Sequence, residues 1–215
     1  MDLQLKGKVV VVTGEANDIA AAVLRACTED GAIPILMDSE QGSAESYKVA
    51  INRVATDFGR IDALIHNAGP IAEVGLEQGG SGEYVASVHR KLVQHYSMAH
   101  FASPHLKESR GTIVNVVSRS PISGRGTSSS SASLRAGVMA LTREWAAELH
   151  SFGVRVNTVL PADGMTSNTS FGRHISTPDQ IAATVTFLLS PLSGHTTGQH
   201  VHVDGRCASL NLTLN

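Results

Sequence analysis

The chain has 215 residues, a net charge of −2 and 42% hydrophobic residues. This length suits one domain with a substantial core, and the composition excludes a disordered chain. The balanced charge excludes the basic surface that nucleic acid or an anionic membrane requires. Two cysteines, Cys27 and Cys207, are too few for a disulfide framework or a cysteine metal site. The sequence has no signal peptide pattern and no membrane-length apolar run, so we expect a cytoplasmic protein.

The hydrophobic pattern predicts strands that alternate with helices along the whole chain. The strands are predicted at 8–14, 33–37, 63–65, 112–117, 154–160 and 199–203, and the helices at 19–29, 44–58, 84–105, 134–150 and 179–189. This alternation indicates βαβ units, and therefore a Rossmann-like, doubly wound α/β fold with a parallel sheet. We expect one domain over residues 1–215. The serine run 128–131 follows two glycines and is typical of a flexible surface loop.

The turn after the first strand is the expected position of a dinucleotide. In such folds a glycine lets the backbone approach the pyrophosphate, and the helix N-terminus supplies N–H donors. Here Thr13 and Gly14 end the strand, and the helix follows from about Ile19. Asp38 ends the second strand, where a carboxylate binds the ribose hydroxyls of NAD and repels the 2′-phosphate of NADP.

Five segments, in order along the chain, resemble motifs of the short-chain dehydrogenase/reductase family. They are the turn that begins at Thr13-Gly14, His66–Gly69, Ile113–Ser118, Arg155–Ala162 and Thr197–Gly205. Their spread over nearly the whole chain makes them more specific than a single glycine motif. The resemblance implies descent from NAD(H)-dependent alcohol or ketone dehydrogenases. It also implies a homodimer or homotetramer that acts on a small molecule.

The resemblance further implies which residues would contact the cofactor. They are Thr13, Gly14, Asp18, Ile19, Asp38, Asn67, Ala68, Gly69, Pro161 and Thr166. Asp18 and Ala20 stand where the family has the second and third glycines of its turn. The Asp18 carboxylate would repel a pyrophosphate, although Asp18 is also a suitable cap for a helix that begins at Ile19. We therefore predict either weakened NAD(H) binding or no cofactor.

The interval between Asp38 and Asn67 is shorter than the family pattern. It has room for one helix and one strand, whereas the family places an additional strand and helix there. We therefore predict a sheet of about six strands in which the usual third strand is missing. The second strand would then lie at the edge, where Pro34 is tolerated because it has no N–H to donate.

The catalytic motif of the family is altered. Ser118 is retained, but the Tyr expected thirteen residues later and the Lys four residues beyond it are Ser131 and Arg135. We place His89 at the position of the family's Asn. A serine hydroxyl is shorter and far more basic than a phenol, and an arginine does not deprotonate. A shift of register cannot restore the motif, because no Tyr or Lys follows position 107.

Three functions remain open on the sequence alone. The first is a degenerate family member, a pseudoenzyme with weak or lost redox activity that binds or supports an active relative. The second is an active, non-standard enzyme that uses Ser118, His89 and Arg135. The third is a defective gene product that still folds. His200, His202 and Asp204 share one strand face, but the family places subunit contacts there and we predict no metal site.

Overall fold

The computed structural model describes residues 2–14, 16–37, 43–67, 71–77, 79–117, 128–161 and 176–204. Within these ranges six strands alternate with five α-helices. The strands are β1 (Val9–Thr13), β2 (Ile33–Met37), β3 (Ala63–Asn67), β4 (Thr112–Val116), β5 (Arg155–Pro161) and β6 (His200–Val203). The helices are α1 (Asp18–Glu29), α2 (Ala44–Phe58), α3 (Ser81–Ser109), α4 (Ser129–Glu148) and α5 (Pro178–Leu189). None of these helices has the length and apolar character that a bilayer span requires.

The strands form one parallel sheet in the order β2-β1-β3-β4-β5-β6. This order confirms the predicted doubly wound α/β fold. The chain turns from one half of the sheet to the other between β1 and β3. Ligands of open α/β sheets bind at such a switch point, beyond the carboxyl ends of the strands.

The predicted loss of a strand is confirmed in the described residues. From β2 the chain passes through α2 and enters β3, which pairs with β1. In these residues β2 pairs with β1 alone, so it lies at the sheet edge. Pro34 is paired in register with Val10, and an edge strand tolerates a residue that has no N–H to donate.

Both faces of the sheet are covered, which explains the continuous apolar runs of its central strands. Val10 and Val12 of β1 pack in the core on the side of α1 and α5. Val9 and Val11 pack on the other side with residues of α2, α3 and α4. All four valines are at most 1% exposed. A parallel sheet buried on both faces requires apolar side chains at successive positions.

The prediction of a loop at residues 128–131 is wrong. Ser128 is the N-cap of α4, and its Oγ accepts a hydrogen bond from the N–H of Ser131 at 3.2 Å. The Oγ of Ser130 donates to the carbonyl of Ala72 at 2.9 Å and accepts from the N–H of Val74 at 3.0 Å. Serine favours a cap when its hydroxyl can satisfy a first-turn N–H, and these bonds also bring the segment 71–77 against α4.

Asp62 organises the amino-terminal edge of the sheet. Its carboxylate accepts hydrogen bonds from the N–H of Val9 at 2.9 Å, Nε of Arg60 at 2.7 Å and Nζ of Lys8 at 3.1 Å. Burial alone would raise the pKa of Asp62, but the bonds from Arg60, Val9 and Lys8 lower it overall. The ionised carboxylate therefore joins the start of β1 to the start of β3.

We expect Asp62→Ala to lower the free energy of unfolding by about 2 kcal/mol, because it leaves the Val9 N–H and two cations without their shared acceptor. Urea denaturation at neutral pH measures this change. Asp57→Ala is the matched control, since Asp57 forms an exposed ion pair with Arg53 at 3.6 Å on α2. That substitution should change stability by less than about 0.5 kcal/mol. Equal effects of the two substitutions would contradict the role assigned to Asp62.

Candidate functional site

The carboxyl ends of β1 and β3 touch at Gly14. This residue has a φ of 110°, and a Cβ added there would overlap the carbonyl oxygen of Asn67. Glycine is required by both the backbone conformation and the close approach of the two strands. The predicted cofactor residues Thr13, Gly14 and Asn67 therefore lie together at the switch point.

The start of α1 is fixed to the same point by Asn17. Its Oδ1 accepts hydrogen bonds from the N–H of Ala20 at 3.0 Å and from Nδ2 of Asn67 at 3.1 Å. The prediction that Asp18 caps α1 is therefore wrong. Asn17 has the extended backbone of a cap, with φ −115° and ψ 177°, and Asp18 is the first helical residue.

This geometry determines what α1 can offer to a ligand. The N–H groups of Asp18 and Ile19 lie in the first turn of the helix. No earlier carbonyl of the same helix is available to accept a hydrogen bond from them. They and the positive end of the helix dipole suit a phosphate group. The carboxylate of Asp18 stabilises the same dipole but opposes a negatively charged ligand.

Two stacked histidines lie behind the turn. The ring centroids of His66 and His95 are 3.9 Å apart, and those of His95 and Trp145 are 5.6 Å apart. Nδ1 of His66 lies 3.0 Å from Oγ1 of Thr13. Burial, with the neighbouring His95, lowers the pKa of His66 well below its ordinary value. Burial also lowers the pKa of His95 to about 4, which the side chain of Asn115 opposes only in part. Both rings are therefore neutral at pH 7.

Uncharged polar side chains of β4, α4 and β5 form a further set of buried contacts. Nδ2 of Asn115 donates to Oγ1 of Thr142 at 2.8 Å, and Oγ1 of Thr142 lies 2.7 Å from Oγ1 of Thr158. In the described part of the chain, Nε2 of His66 is buried without a hydrogen-bond partner. Buried polar atoms of this kind cost stability, and they cost more when a proton adds charge.

A cavity of about 30 Å³ opens at the switch point, and we call it the cleft. It has room for one or two water molecules. Its described lining residues come from the ends of β1 and β3 and from α3 and α4: Thr13, Gly14, His66, Asn67, Lys91, Gln94, His95, Leu134 and Val138. The cleft is the point where the turn, the histidine stack and α4 meet.

The structure does not bring the predicted residue His89 to this cleft. His89 is exposed on α3, whereas Lys91 lines the cleft. Two positions along an α-helix rotate a side chain by roughly 200°, to the opposite side. The sequence did hold a signal, because Ser87, Gln94 and Met98 share helical spacing with Lys91 and are all buried.

The other predicted site residues fall into two groups. Ser131 lies in the first turn of α4 and is 2% exposed, and Arg135 lies one turn later and is partly buried. Pro161 is buried at the end of β5. The remaining predicted residues lie outside the described residues: Ser118, Asp38, Ala68, Gly69 and Thr166. Across the described ranges, no three side chains of His, Cys, Asp or Glu are grouped as metal ligands.

A larger cavity of about 240 Å³ lies at the opposite, amino-terminal edge of the sheet. Two of its charged lining residues hold the fold together. Asp62 joins β1 to β3, and the guanidinium of Arg155 donates to Oγ of Ser193 at 2.8 Å and to the carbonyls of Leu189 and Ser190 at 3.4 and 3.3 Å. Arg155 thereby satisfies carbonyls at the end of α5, where a cation is favourable. We therefore take the cleft, and not this cavity, as the candidate functional site.

The buried His95 should make the fold acid-sensitive. Its pKa of about 4 lies below that of an exposed histidine in the unfolded chain, near 6.5, so its contribution is complete above pH 6.5 and is lost as the pH falls towards 4. Between about pH 7 and pH 5 this loss amounts to roughly 2 kcal/mol. His95→Phe keeps a ring between His66 and Trp145 and should remove this part of the pH dependence.

Urea denaturation of both proteins at the two pH values measures the difference. The carboxylates titrate in both proteins, so their contribution cancels in the comparison. His89→Gln is the control, because His89 is exposed on the same helix, and its pH dependence should equal that of the wild type. An unchanged pH dependence in His95→Phe would show that the stack does not control acid stability.

Comparison with known proteins supports the resemblance found in the sequence. A family model described as short chain dehydrogenase matches residues 3–177. The 3-oxoacyl-acyl-carrier-protein reductase FabG of Thermotoga maritima is 27% identical, with 94% of this chain and 98% of the relative covered. The alignment spans 243 positions, so the relative has segments that this chain lacks. The L-fucose dehydrogenase of Rattus norvegicus is 27% identical over 73% of this chain and 66% of the relative.

Solved structures agree. The Cj0485 dehydrogenase is 30% identical with a TM-score of 0.90, and the match covers 100% of this chain and 99% of that one. The NADH-dependent reductase A1-R′ complexed with NAD has a TM-score of 0.84 at 24% identity, covers 96% of this chain and 100% of its own, and shows the same fold. With the six parallel strands and the glycine turn described above, these matches settle the family. The chain belongs to the short-chain dehydrogenase family.

Proposed function

We propose that this chain is a short-chain dehydrogenase/reductase that binds NAD(H) with reduced affinity and whose alcohol–ketone redox turnover is weak or lost. One observation carries the proposal. The first two turns of α4, where the family presents its Tyr and Lys, present a buried Ser131 and the partly buried Arg135. Neither can serve as the proton donor and acceptor that hydride exchange with a carbinol requires.

No other described phenol replaces the missing tyrosine. Tyr47 lies on α2 and is buried in the core, and Tyr96 is exposed on α3. Oη of Tyr84 lies 2.6 Å from Oγ of Ser133, so it is engaged between α3 and α4. None of the three lines the cleft. The chain has 3 Tyr in total, which leaves general acid–base catalysis without its usual phenol.

The cofactor part of the proposal rests on the turn. The Gly14 backbone, the first-turn N–H groups of α1 and the side chain of Asn67 lie where the pyrophosphate and adjoining ribose of a dinucleotide bind in this fold. The solved reductase of the same fold is described as complexed with NAD. Asp18 adds a negative charge at this point, and we attribute the reduced affinity to it.

The first experiment titrates the pure protein with NADH and NADPH by calorimetry, and then follows NADH oxidation with simple ketones and 3-oxoacyl thioesters. We expect NADH to bind more tightly than NADPH and no carbonyl compound to be reduced above background. Asp18→Asn removes the charge with little change of shape. It should tighten NADH binding about tenfold, because like charges a few ångströms apart cost on the order of 1 to 4 kcal/mol.

Asp30→Asn is the matched control, since Asp30 lies at the other end of α1, and it should leave NADH binding unchanged. Steady turnover of any carbonyl compound by the wild type would reject the loss of activity. Tightening by both substitutions would reject a local effect of Asp18. An enzyme that uses His89, the second function above, has less support because that side chain is exposed.

We also propose that the protein is a homodimer or homotetramer that assembles through α3. Val85, Val93 and Tyr96 lie near one face of this helix and are 59%, 39% and 54% exposed. Exposed apolar side chains at helical spacing favour a protein interface. The ring of Tyr96 stacks on His100 at 5.7 Å, which extends this face by one turn.

Val93→Glu should therefore lower the molecular mass measured by light scattering, because it places a charge in an apolar contact. Val49→Glu is the control on α2, where Val49 is 59% exposed, and it should leave the mass unchanged. A monomeric wild-type protein at micromolar concentration would reject the proposed assembly.

A further inference from the structure

The outer edge of β2 is open within the described residues, because the strand that the family places beside it is absent. There β2 pairs with β1 alone. Its residues, Ile33–Met37, are all apolar, and Ile33 and Leu36 are 39% and 38% exposed. An uncharged apolar strand at a sheet edge is a template on which another chain can add a strand.

The hydrogen bonds to β1 show which backbone groups of β2 face the open edge. The N–H of Ile33, the first residue of the strand, donates to the carbonyl of Lys8 at 2.8 Å. Backbone groups alternate in direction along a strand, so those of the third and fifth residues also face β1. The carbonyl of the fifth residue indeed accepts from the N–H of Gly14 at 3.3 Å. The second and fourth residues, Pro34 and Leu36, therefore direct their backbone groups towards the open edge.

Pro34 removes one of the donors at this edge. Proline has no N–H, so the outward-facing groups within β2 are the N–H of Leu36 and the carbonyls of both residues. The proline ring also fills the space into which an N–H would point, where it would displace the carbonyl of an incoming strand. Such a strand would therefore lose a hydrogen bond and meet a steric obstacle at the same point.

A second copy of this chain would meet that obstacle on both sides. Two identical edges related by a twofold axis run antiparallel. When the axis passes through Ile35, the whole of β2 is paired, and residue 34 of each copy lies opposite residue 36 of the other. Residues opposite each other in this way exchange N–H···O bonds in both directions. Pro34 abolishes one direction in each pair, so half of these bonds cannot form.

We propose that Pro34 keeps the β2 edge from pairing with a second copy of the chain. The sheet can then lack its usual third strand and still leave this edge unpaired, so that assembly takes place through other surfaces. This inference goes beyond the proposed cofactor and redox function. It depends neither on that function nor on the proposed contact through α3.

Pro34→Val tests the inference, because valine supplies the missing N–H and favours a strand. We expect it to raise the molecular mass measured by light scattering at least about twofold over that of the wild type, whether the wild type is a monomer or an oligomer. The N–H of Leu36 should also become protected from hydrogen exchange, since strand pairing would give it an acceptor.

Pro191→Val is the matched control, since Pro191 is an exposed proline that lies outside the sheet. It should change neither the mass nor the exchange of the Leu36 N–H. Circular dichroism and a thermal melt verify that each variant is folded as the wild type is.

A second substitution separates strand pairing from aggregation of unfolded chains. Leu36→Lys, added to Pro34→Val, places a charge on the edge of each copy and should return the mass to the wild-type value. The same double variant decides the outcome if Pro34→Val alone precipitates, because a soluble double variant of wild-type mass would show that the edge caused the association.

Three results would overturn the inference. The first is a Pro34→Val protein whose mass and Leu36 exchange equal those of the wild type. The second is association that Leu36→Lys does not reverse, because it would come from another surface or from unfolding. The third is a protected Leu36 N–H in the wild type, since the edge would then be paired in spite of Pro34.

Discussion

The contact between the ends of β1 and β3 is the constraint on which the rest of the molecule depends. Gly14 lies so close to the carbonyl of Asn67 that only glycine fits, and the amide of Asn67 reaches the residue that caps α1. One contact thus sets the distance between two strands, the direction of the turn and the start of the first helix. This contact does not depend on Asp18 and Ala20, which stand where the family motif has its second and third glycines. Those replacements alter charge and local packing, whereas the backbone of the turn is held by Gly14.

The layer behind the turn is polar but uncharged. His66 and His95 stack at 3.9 Å in a position where a charged ring would lose its hydration. The buried Nε2 of His66, which has no hydrogen-bond partner, costs stability. Because the rings are neutral near pH 7, Lys91 is the one charged side chain among the described residues that line the cleft. Acid would change both properties at once, since protonation of either histidine would weaken the fold and add positive charge beside the cleft.

The sequence predicted the sheet well because its strands are buried on both faces, so their apolar runs are long and unambiguous, as at Val9–Thr13. The absence of one strand was predicted from the small number of residues between Asp38 and Asn67. The errors arose where the outcome depends on partners distant in the sequence. Ser130 forms hydrogen bonds with the backbone of residues 72 and 74. These bonds stabilise the serine run as the first turn of α4. The positions of Lys91 at the cleft and of His89 on the exposed side depend on the rotation of α3 about its axis, which motif alignment alone does not determine.

In this fold, dinucleotide binding and proton transfer depend on different elements. The cofactor turn is built by β1, β3 and α1, whereas the proton-transfer groups of the family belong to α4. The strand contact requires Gly14 whether or not a ligand binds. The proposal of a cofactor site therefore depends on Gly14 together with the first-turn N–H groups of α1 and the side chain of Asn67. Under the proposed function, Asp18 opposes a dinucleotide at the turn, whereas Ser131 and Arg135 on α4 account for the weak or lost redox turnover.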